Sequence, residues 1–183
     1  MIPAAALVIG LLLGWACGGN IQGLKDITWS GWRLTLSLFV VQALARGRLF
    51  GVSGWSRIGA AVWVCCSLVL VGLLIKKSKS AGVFVASVGI LLNVVVVILN
   101  GGMPVGAPPS GSQLVMTALG EGQRAFYQPV GQQSLWTVFG DILPVRLLGS
   151  WTMLSVGDVL LMIGVLVWVA GVMAVDPLRR DAR

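Results

Sequence analysis

The chain has 183 residues, of which 57% are hydrophobic and 10% are charged, and its mean hydropathy is +0.93. Soluble domains carry about 25% charged residues, so this composition excludes an ordinary soluble domain. The net charge of +7 does not indicate nucleic-acid binding, because the basic residues lie between apolar segments and form no stripe interleaved with aromatic residues. The composition predicts an integral membrane protein.

Apolar segments along the chain predict an all-α integral membrane protein, a bundle of about five transmembrane helices in a single domain covering residues 1–183. The helices are expected at residues 3–18, 29–48, 57–75, 81–100 and 152–175. None of these segments alternates apolar with polar residues as a membrane barrel does. The second has an uncharged centre of only twelve residues, 34–45, so a re-entrant or interfacial helix is the alternative there.

The first helix has small residues at every fourth position, namely Ala6, Gly10, Gly14 and Gly18. This spacing places them on one face, where another helix backbone can approach closely. We expect this face to contact a membrane-protein partner or a second copy of the chain. The sequence leaves open whether a helix of the same chain fills it.

The fourth helix carries two amides, Asn93 and Asn100, in an otherwise apolar segment. Seven residues rotate an α-helix by about 700°, so both side chains are expected on one face. An amide in hydrocarbon needs a partner, which favours an interhelical hydrogen bond for Asn93, with a ligand-binding face as the alternative. After Asn100, the residues Gly101, Gly102 and Pro104 predict the end of the helix.

The outer loop, residues 101–151, is expected to be a structured extracytoplasmic connection, because loops of this length are often functional. Its first four residues form a compact motif, Gly101, Gly102, Met103 and Pro104. The segment "SQLVMTALG" predicts a short helix, and Trp136, Phe139 and Leu143 lie at near-helical spacing. Both segments are expected to lie against the bundle or in the lipid headgroup layer.

Two acidic residues, Asp141 and Asp158, follow a glycine in an apolar setting. Ser155 precedes Asp158 by three residues, which is typical of a helix start, so capping of the fifth helix is one interpretation of Asp158. The other interpretation is a ligand-binding pocket at the outer end of the bundle, lined by Asn93, Asn100, Asp141 and Asp158 and covered by the outer loop. Hard cations take such oxygen ligands, but four candidates from three segments are a weak signal, so we expect no metal site and no cofactor.

Catalytic groups are scarce in this chain. It has no histidine, which excludes His-ligated haem, His-based zinc sites and imidazole catalysis. Its three cysteines lie in apolar segments without C-x-x-C spacing, and we interpret them as small hydrophobic residues.

Three segments, "LLNVVVVILNGGMPV", "FGDILPV" and "SVGDVLLMIG", in this order and spacing, resemble a family of uncharacterised bacterial membrane proteins known as a domain of unknown function. The resemblance covers most of the chain. Its most recognisable part is the Asn-Gly-Gly-Met-Pro run, one residue shorter here than in the family form. The resemblance implies a bacterial cytoplasmic-membrane protein with this helical layout and implies no activity.

Five spans would divide the basic residues between the two sides of the membrane. Eight lie on one side: Lys25, Arg33, Lys76, Lys77, Lys79, Arg179, Arg180 and Arg183. Five lie on the other: Arg46, Arg48, Arg57, Arg124 and Arg146. The positive-inside bias then predicts a multi-pass protein with its N-terminus and outer loop outside and its C-terminus in the cytoplasm.

Three functions stay open. A non-catalytic accessory or structural subunit, or an assembly component of a larger membrane complex, fits the scarcity of catalytic groups best. Binding or transport of a small molecule, lipid or ion at the outer Asn/Asp pocket is the alternative. An aspartyl-type membrane enzyme is the lesser alternative, because Asp141 and Asp158 lack the fuller Gly-x-Gly-Asp motif of such enzymes. Besides the lipid bilayer we expect a membrane-protein partner or a second copy, and no nucleic acid.

Overall fold

The computed structural model describes residues 2–16, 18–20, 37–38, 40–42, 55–77, 79–106, 126–131, 134–147 and 150–174. The named helices are α1 (Ile2–Ala16), α2 (Trp55–Lys77), α3 (Ala81–Asn100) and α4 (Val156–Ala174). Residues 37–38 and 40–42 are also helical, and the rest of the predicted helix 29–48 lies outside the described residues. Between α3 and α4 lie β1 (Met103–Val105), β2 (Tyr127–Pro129), a 3₁₀ helix (Thr137–Phe139), β3 (Leu143–Leu147) and β4 (Ser150–Leu154).

Three helices in the described part of the chain have the length and apolar composition to cross a membrane: Ile58–Lys76 within α2, Ala81–Asn100, and Val156–Ala174. A helix of 20 residues is about 30 Å long, which matches the hydrocarbon core of a bilayer. The described part of α1 is shorter, at 15 residues. The protein is therefore a mostly helical membrane protein, as its composition predicts.

Both ends of α3 follow from its sequence. At the start, the Ser80 side chain accepts a hydrogen bond from the Val83 N–H at 3.3 Å and caps the helix. At the end, Gly101 adopts the left-handed conformation with a φ of 69°, which costs a residue with a Cβ more than it costs glycine. The helix thus has the bounds that these two signals predict.

α3 and α4 run antiparallel and touch closely because glycines meet at two levels. Gly89 lies against Gly157. Seven residues earlier in α3 and seven residues later in α4, Gly82 lies against Gly164. A Cβ at any of these four positions would overlap backbone of the opposite helix. Small residues of this kind let membrane helices approach each other, and here they bring the middle of α3 to the start of α4.

α1 packs along α4 in the same direction. Gly10 lies against Val169, and Gly14 lies against Met173. Beyond the end of α1, the Asn20 N–H donates to the Met173 carbonyl at 3.0 Å. Part of the small-residue face of the first helix therefore contacts a helix of the same chain. Among the described residues, no atom lies within 4 Å of a Cβ placed on Gly18, and the Ala6 side chain lies outside the description.

α2 runs antiparallel to α3, since a short turn joins the two helices and Ala60 near the start of α2 lies by Val97 and Gly101 at the end of α3. A core of buried apolar side chains from α2, α3 and the connection fills the space between them, including Trp63, Val96, Val97 and Phe126. The Gln42 amide donates to Ser67 Oγ at 2.9 Å, which places residues 40–42 beside the middle of α2.

The connection between α3 and α4 differs from its prediction in two places. Trp136, Phe139 and Leu143 do not share a helix, because only Thr137–Phe139 forms a 3₁₀ turn and Leu143 begins β3. The fifth predicted helix, expected from residue 152, begins at Val156, because β4 pairs antiparallel with β3 through Leu154. Apolar composition alone does not separate a strand from a helix. The helix predicted in "SQLVMTALG" lies outside the described residues.

Candidate functional site

A buried network of side chains joins α3 to the start of α4. The Asn93 amide nitrogen donates to Asp158 Oδ1 at 2.9 Å, and the Ser155 hydroxyl donates to Asn93 Oδ1 at 2.8 Å. Asn93 is 5% exposed and Ser155 is fully buried, so these bonds satisfy polar groups that water does not reach. The interhelical hydrogen bond that the sequence favours for Asn93 is present.

Ser155 and Asp158 also cap α4 reciprocally. The Asp158 N–H donates to Ser155 Oγ at 2.9 Å, and the Ser155 N–H donates to Asp158 Oδ2 at 3.4 Å. This is a capping box with aspartate in the acidic position, which satisfies donors that the first helical turn leaves free. The Ser-x-x-acid spacing predicts this cap, but it gives no sign that Ser155 also bonds to Asn93.

Glycine at position 157 makes this network possible. A Cβ there would overlap the Asn93 side chain and would lie 2.6 Å from the Gly89 carbonyl oxygen. The Gly-Asp pair "VGDVL" thus combines a residue that admits Asn93 with a residue that bonds to it. The aspartate was predicted as a candidate site residue, whereas the role of the glycine was not predicted.

Asp141 reaches the same region from the outer loop, because its backbone pairs with β1. The Asp141 N–H donates to the Pro104 carbonyl at 2.8 Å, and the Gly106 N–H donates to the Asp141 carbonyl at 3.0 Å. Gly140 lies so close to Pro104 that a Cβ there would be 2.7 Å from the Pro104 oxygen. The motif that ends α3 therefore positions the aspartate of "FGDIL", which is 7% exposed.

A small cavity lies where these segments meet. Asn93, Asp141 and Asp158 line it together with Trp63, Met103, Phe126 and Tyr127. The Trp63 and Phe126 rings are 5.2 Å apart between centroids, and Phe126 meets Tyr127 edge-on at 5.3 Å. Three of these residues are the ligand-binding candidates predicted from the sequence, and Met103 belongs to the predicted loop motif. The aromatic wall of Trp63, Phe126 and Tyr127 was not predicted, because nothing local in the sequence links Trp63 to residues 126–127.

The volume and charge of this cavity limit what it can hold. It measures about 20 Å³, which is room for about one water molecule. Two of its lining residues are aspartates and none is basic. Within the described residues, no group of three or more His, Cys, Asp or Glu side chains is arranged to hold a metal ion.

Asn100 lies outside this cavity and binds the backbone of the outer loop. Its amide nitrogen donates to the Leu135 carbonyl at 3.0 Å and to the Val96 carbonyl at 2.8 Å. Its Oδ1 accepts from the Leu135 N–H at 2.8 Å. The amide thus pairs with Leu135 as a neighbouring strand would. The predicted cluster of four is therefore three residues around one cavity and a fourth that holds the loop.

No curated protein and no solved structure matches the chain. A family model does match it, over residues 27–170, and this range includes the network, the cavity and the loop motif. Because the match covers more than half of the chain, the protein belongs to DUF5317, a family of unknown function.

Proposed function

We propose that the protein is a non-catalytic accessory component of a larger membrane assembly. The observation that supports this best is the use of its buried polar side chains. Asn93, Ser155 and Asp158 bond to one another at the start of α4, and Asn100 bonds to the backbone at Leu135. Bonds of this kind hold helices and a loop in fixed positions, as a structural component requires.

The size of the cavity argues against a substrate site. Sites for small molecules measure about 300–1,000 Å³, whereas this cavity measures about 20 Å³. The lesser alternative, an aspartyl-type enzyme, needs two carboxylates that share a proton and activate a water. Here the two Asp158 oxygens accept hydrogen bonds from the Asn93 amide and the Ser155 N–H, which suits a cap better than a dyad.

One face of α4 supports a contact with another membrane helix. Ile163, Val167 and Gly171 follow one another at intervals of four residues, and all three are exposed. No atom of the described residues lies within 4 Å of a Cβ placed on Gly171. Glycine on an open helix surface lets another backbone approach closely. We take this face as the partner contact, since Gly10 and Gly14 of α1 already lie against α4.

We also propose that the chain crosses the membrane five times. α1 runs parallel to α4, α3 runs antiparallel to α4, and α2 runs antiparallel to α3, so α1 and α2 point in the same direction. The connection from Ala16 to Trp55 must then join opposite ends of the bundle, which supports a further crossing within residues 29–48. The charge count and the family resemblance support an outer N-terminus and a cytoplasmic C-terminus in a bacterial cytoplasmic membrane.

The experiment that tests the accessory role is extraction of the tagged chain from its own membrane in a mild detergent, followed by native mass spectrometry. We expect a stoichiometric partner to remain bound to the wild-type chain. Gly171→Leu should reduce recovery of the partner without changing the amount of chain in the membrane. Phe84→Leu, at an exposed position on α3, is the matched control and should keep the partner. A wild-type chain that carries no partner contradicts the proposal.

A second candidate is the binding of one small ion in the cavity. The observation that favours it is that Asp141 and Asp158 line one small cavity with Asn93, since carboxylate and amide oxygens are ligands of hard cations. Thermal unfolding in Na⁺, Mg²⁺ or Ca²⁺ tests it. One of these cations should raise the Tm of the wild-type chain and leave the Tm of Asp141→Asn unchanged. If none of the three cations changes the Tm of the wild-type chain, the ion-binding candidate is wrong.

A further inference from the structure

The outer loop exposes three large apolar side chains next to one another. We call Leu135, Trp136 and Val138 the loop wedge, and they are 52%, 57% and 64% exposed. Residues 125–140 around them contain no charged side chain. Apolar residues that are scattered singly need no explanation, but a contiguous exposed patch marks an interaction surface.

The backbone of the loop wedge is held in an unusual conformation. Trp136 has a φ of 54°, and it is the only non-glycine residue in the described ranges with a positive φ. The left-handed region is unfavourable for a residue with a Cβ, so the surrounding contacts must hold it there. The two hydrogen bonds between Asn100 and the Leu135 backbone supply part of this restraint. The Phe139 ring packs against the Trp136 ring, with 5.7 Å between the ring centroids.

The loop wedge lies beside the end of α3, and this position indicates which part of the bilayer it faces. Asn100, which holds Leu135, is the last residue of a helix long and apolar enough to cross the membrane. Just before Asn100, Ile98 and Leu99 are 60% and 42% exposed, so an apolar surface reaches this end of α3. The loop wedge lies beside this end of α3, and a span of 20 residues ends about where the hydrocarbon meets the headgroups. Tryptophan is enriched at this level because its ring is apolar and its N–H is polar.

We propose that the loop wedge inserts into the boundary between headgroups and acyl chains of the leaflet at this end of the bundle. Asn100 fixes its depth, because it ties the Leu135 backbone to the end of α3. The apolar side chains supply the attraction, and the absence of nearby charge makes the insertion independent of anionic lipid.

Spin-label accessibility in the full chain tests this proposal. Cys17, Cys65 and Cys66 are replaced by serine, a nitroxide is attached to Val138→Cys, and the chain is reconstituted in phosphatidylcholine vesicles. Molecular oxygen concentrates in the bilayer, whereas a neutral nickel chelate stays in water. Leu91→Cys, at an exposed position in the middle of α3, gives the bilayer reference, and Lys79→Cys between α2 and α3 gives the water reference.

We expect the label at position 138 to be more accessible to oxygen than to the nickel chelate, with values between those of the two references. Nickel accessibility equal to that at position 79 overturns the proposal, because the loop wedge then lies in water. Low accessibility to both reagents also overturns it, since protein rather than lipid then covers the loop wedge.

A second measurement does not depend on the labelled variants. The tryptophan fluorescence of the native sequence, with its three cysteines retained, is compared with that of Trp136→Phe in vesicles of brominated phosphatidylcholine. Bromine near the headgroup end of the acyl chains should quench a component that Trp136→Phe lacks. Equal quenching of both chains overturns the proposal.

Discussion

Asn93 and Asp158 lie 65 residues apart in the chain and are joined by a hydrogen bond of 2.9 Å between α3 and α4. The outer loop separates them in sequence, and its Asp141 lines the same small cavity. One amide in the middle of α3 therefore ties this helix to the start of α4, beside the region where the loop meets the bundle.

Asn93→Ala should destabilise the protein by roughly 1–2 kcal/mol, because it removes two interhelical hydrogen bonds and leaves buried groups of Ser155 and Asp158 with fewer partners. The free energy of unfolding in mixed detergent micelles measures the loss. Ser87→Ala is the matched control on the same helix, since Ser87 Oγ is buried and makes no hydrogen bond to the described residues. If both variants lose the same stability, the network has no special role.

Asn93 and Ser155 should show energetic coupling. Each single substitution by alanine breaks the bond between them, so the double variant should lose less stability than the sum of the two single losses. The expected difference is on the order of 0.5–3 kcal/mol, as for residues within one network. Strict additivity in the same unfolding assay would show that the bond of 2.8 Å contributes nothing.

Gly157→Ala should destabilise the protein, although it adds only one methyl group. The new methyl group would overlap the Asn93 side chain and the Gly89 carbonyl, and overpacking of this kind costs about 1–3 kcal/mol. Gly72→Ala, at an exposed position on α2, has open space among the described residues and should cost nothing measurable. The two variants are compared by their amount in the membrane and by their Tm. Equal values would refute the close contact of α3 and α4.

Asn100→Ala should loosen the outer loop more than the bundle. The Leu135 N–H loses its acceptor, and a hydrogen bond of about 1 kcal/mol corresponds to roughly fivefold faster amide exchange. Asn100→Asp keeps an acceptor oxygen and should stay closer to the wild type. Hydrogen exchange at Leu135 is the measurement, with Asn93→Ala as the control that should leave it unchanged. Unaltered exchange in Asn100→Ala would contradict the pairing.

The parts of the fold that follow from sequence are those with local signals. α3 has a capping serine at one end and a glycine with a positive φ at the other, so its bounds are visible in its own residues. The start of α4 also has a local signal, the spacing of Ser155 and Asp158, yet the helix was expected from residue 152. Trp151, Met153 and Leu154 are apolar enough to extend a helix, and only pairing with β3 makes residues 150–154 a strand. Strand pairing is a property of two segments, which periodicity in one segment does not contain.

The candidate site shows the same limit. Polar residues in an apolar segment can be found from sequence, and three of the four candidates do meet. Their partners cannot be found in this way, because partners depend on which helices pack together. The pairing of Gly82 with Gly164 and of Gly89 with Gly157 sets that choice. The two glycines are seven residues apart on each helix, and this equal spacing is present in the sequence. It indicates a close helix contact only once α3 and α4 are known to be neighbours.

The order of synthesis gives the network a further consequence. The ribosome completes Asn93 before its partner Asp158, which follows 65 residues later. At about 5–20 residues per second, the two are separated by roughly 3–13 s of translation. During that interval α3 must enter the bilayer with an amide whose native partners do not yet exist, so water or the insertion machinery must accommodate it. The arrival of α4 ends this exposure, so the insertion of α3 is completed only when α4 packs against it.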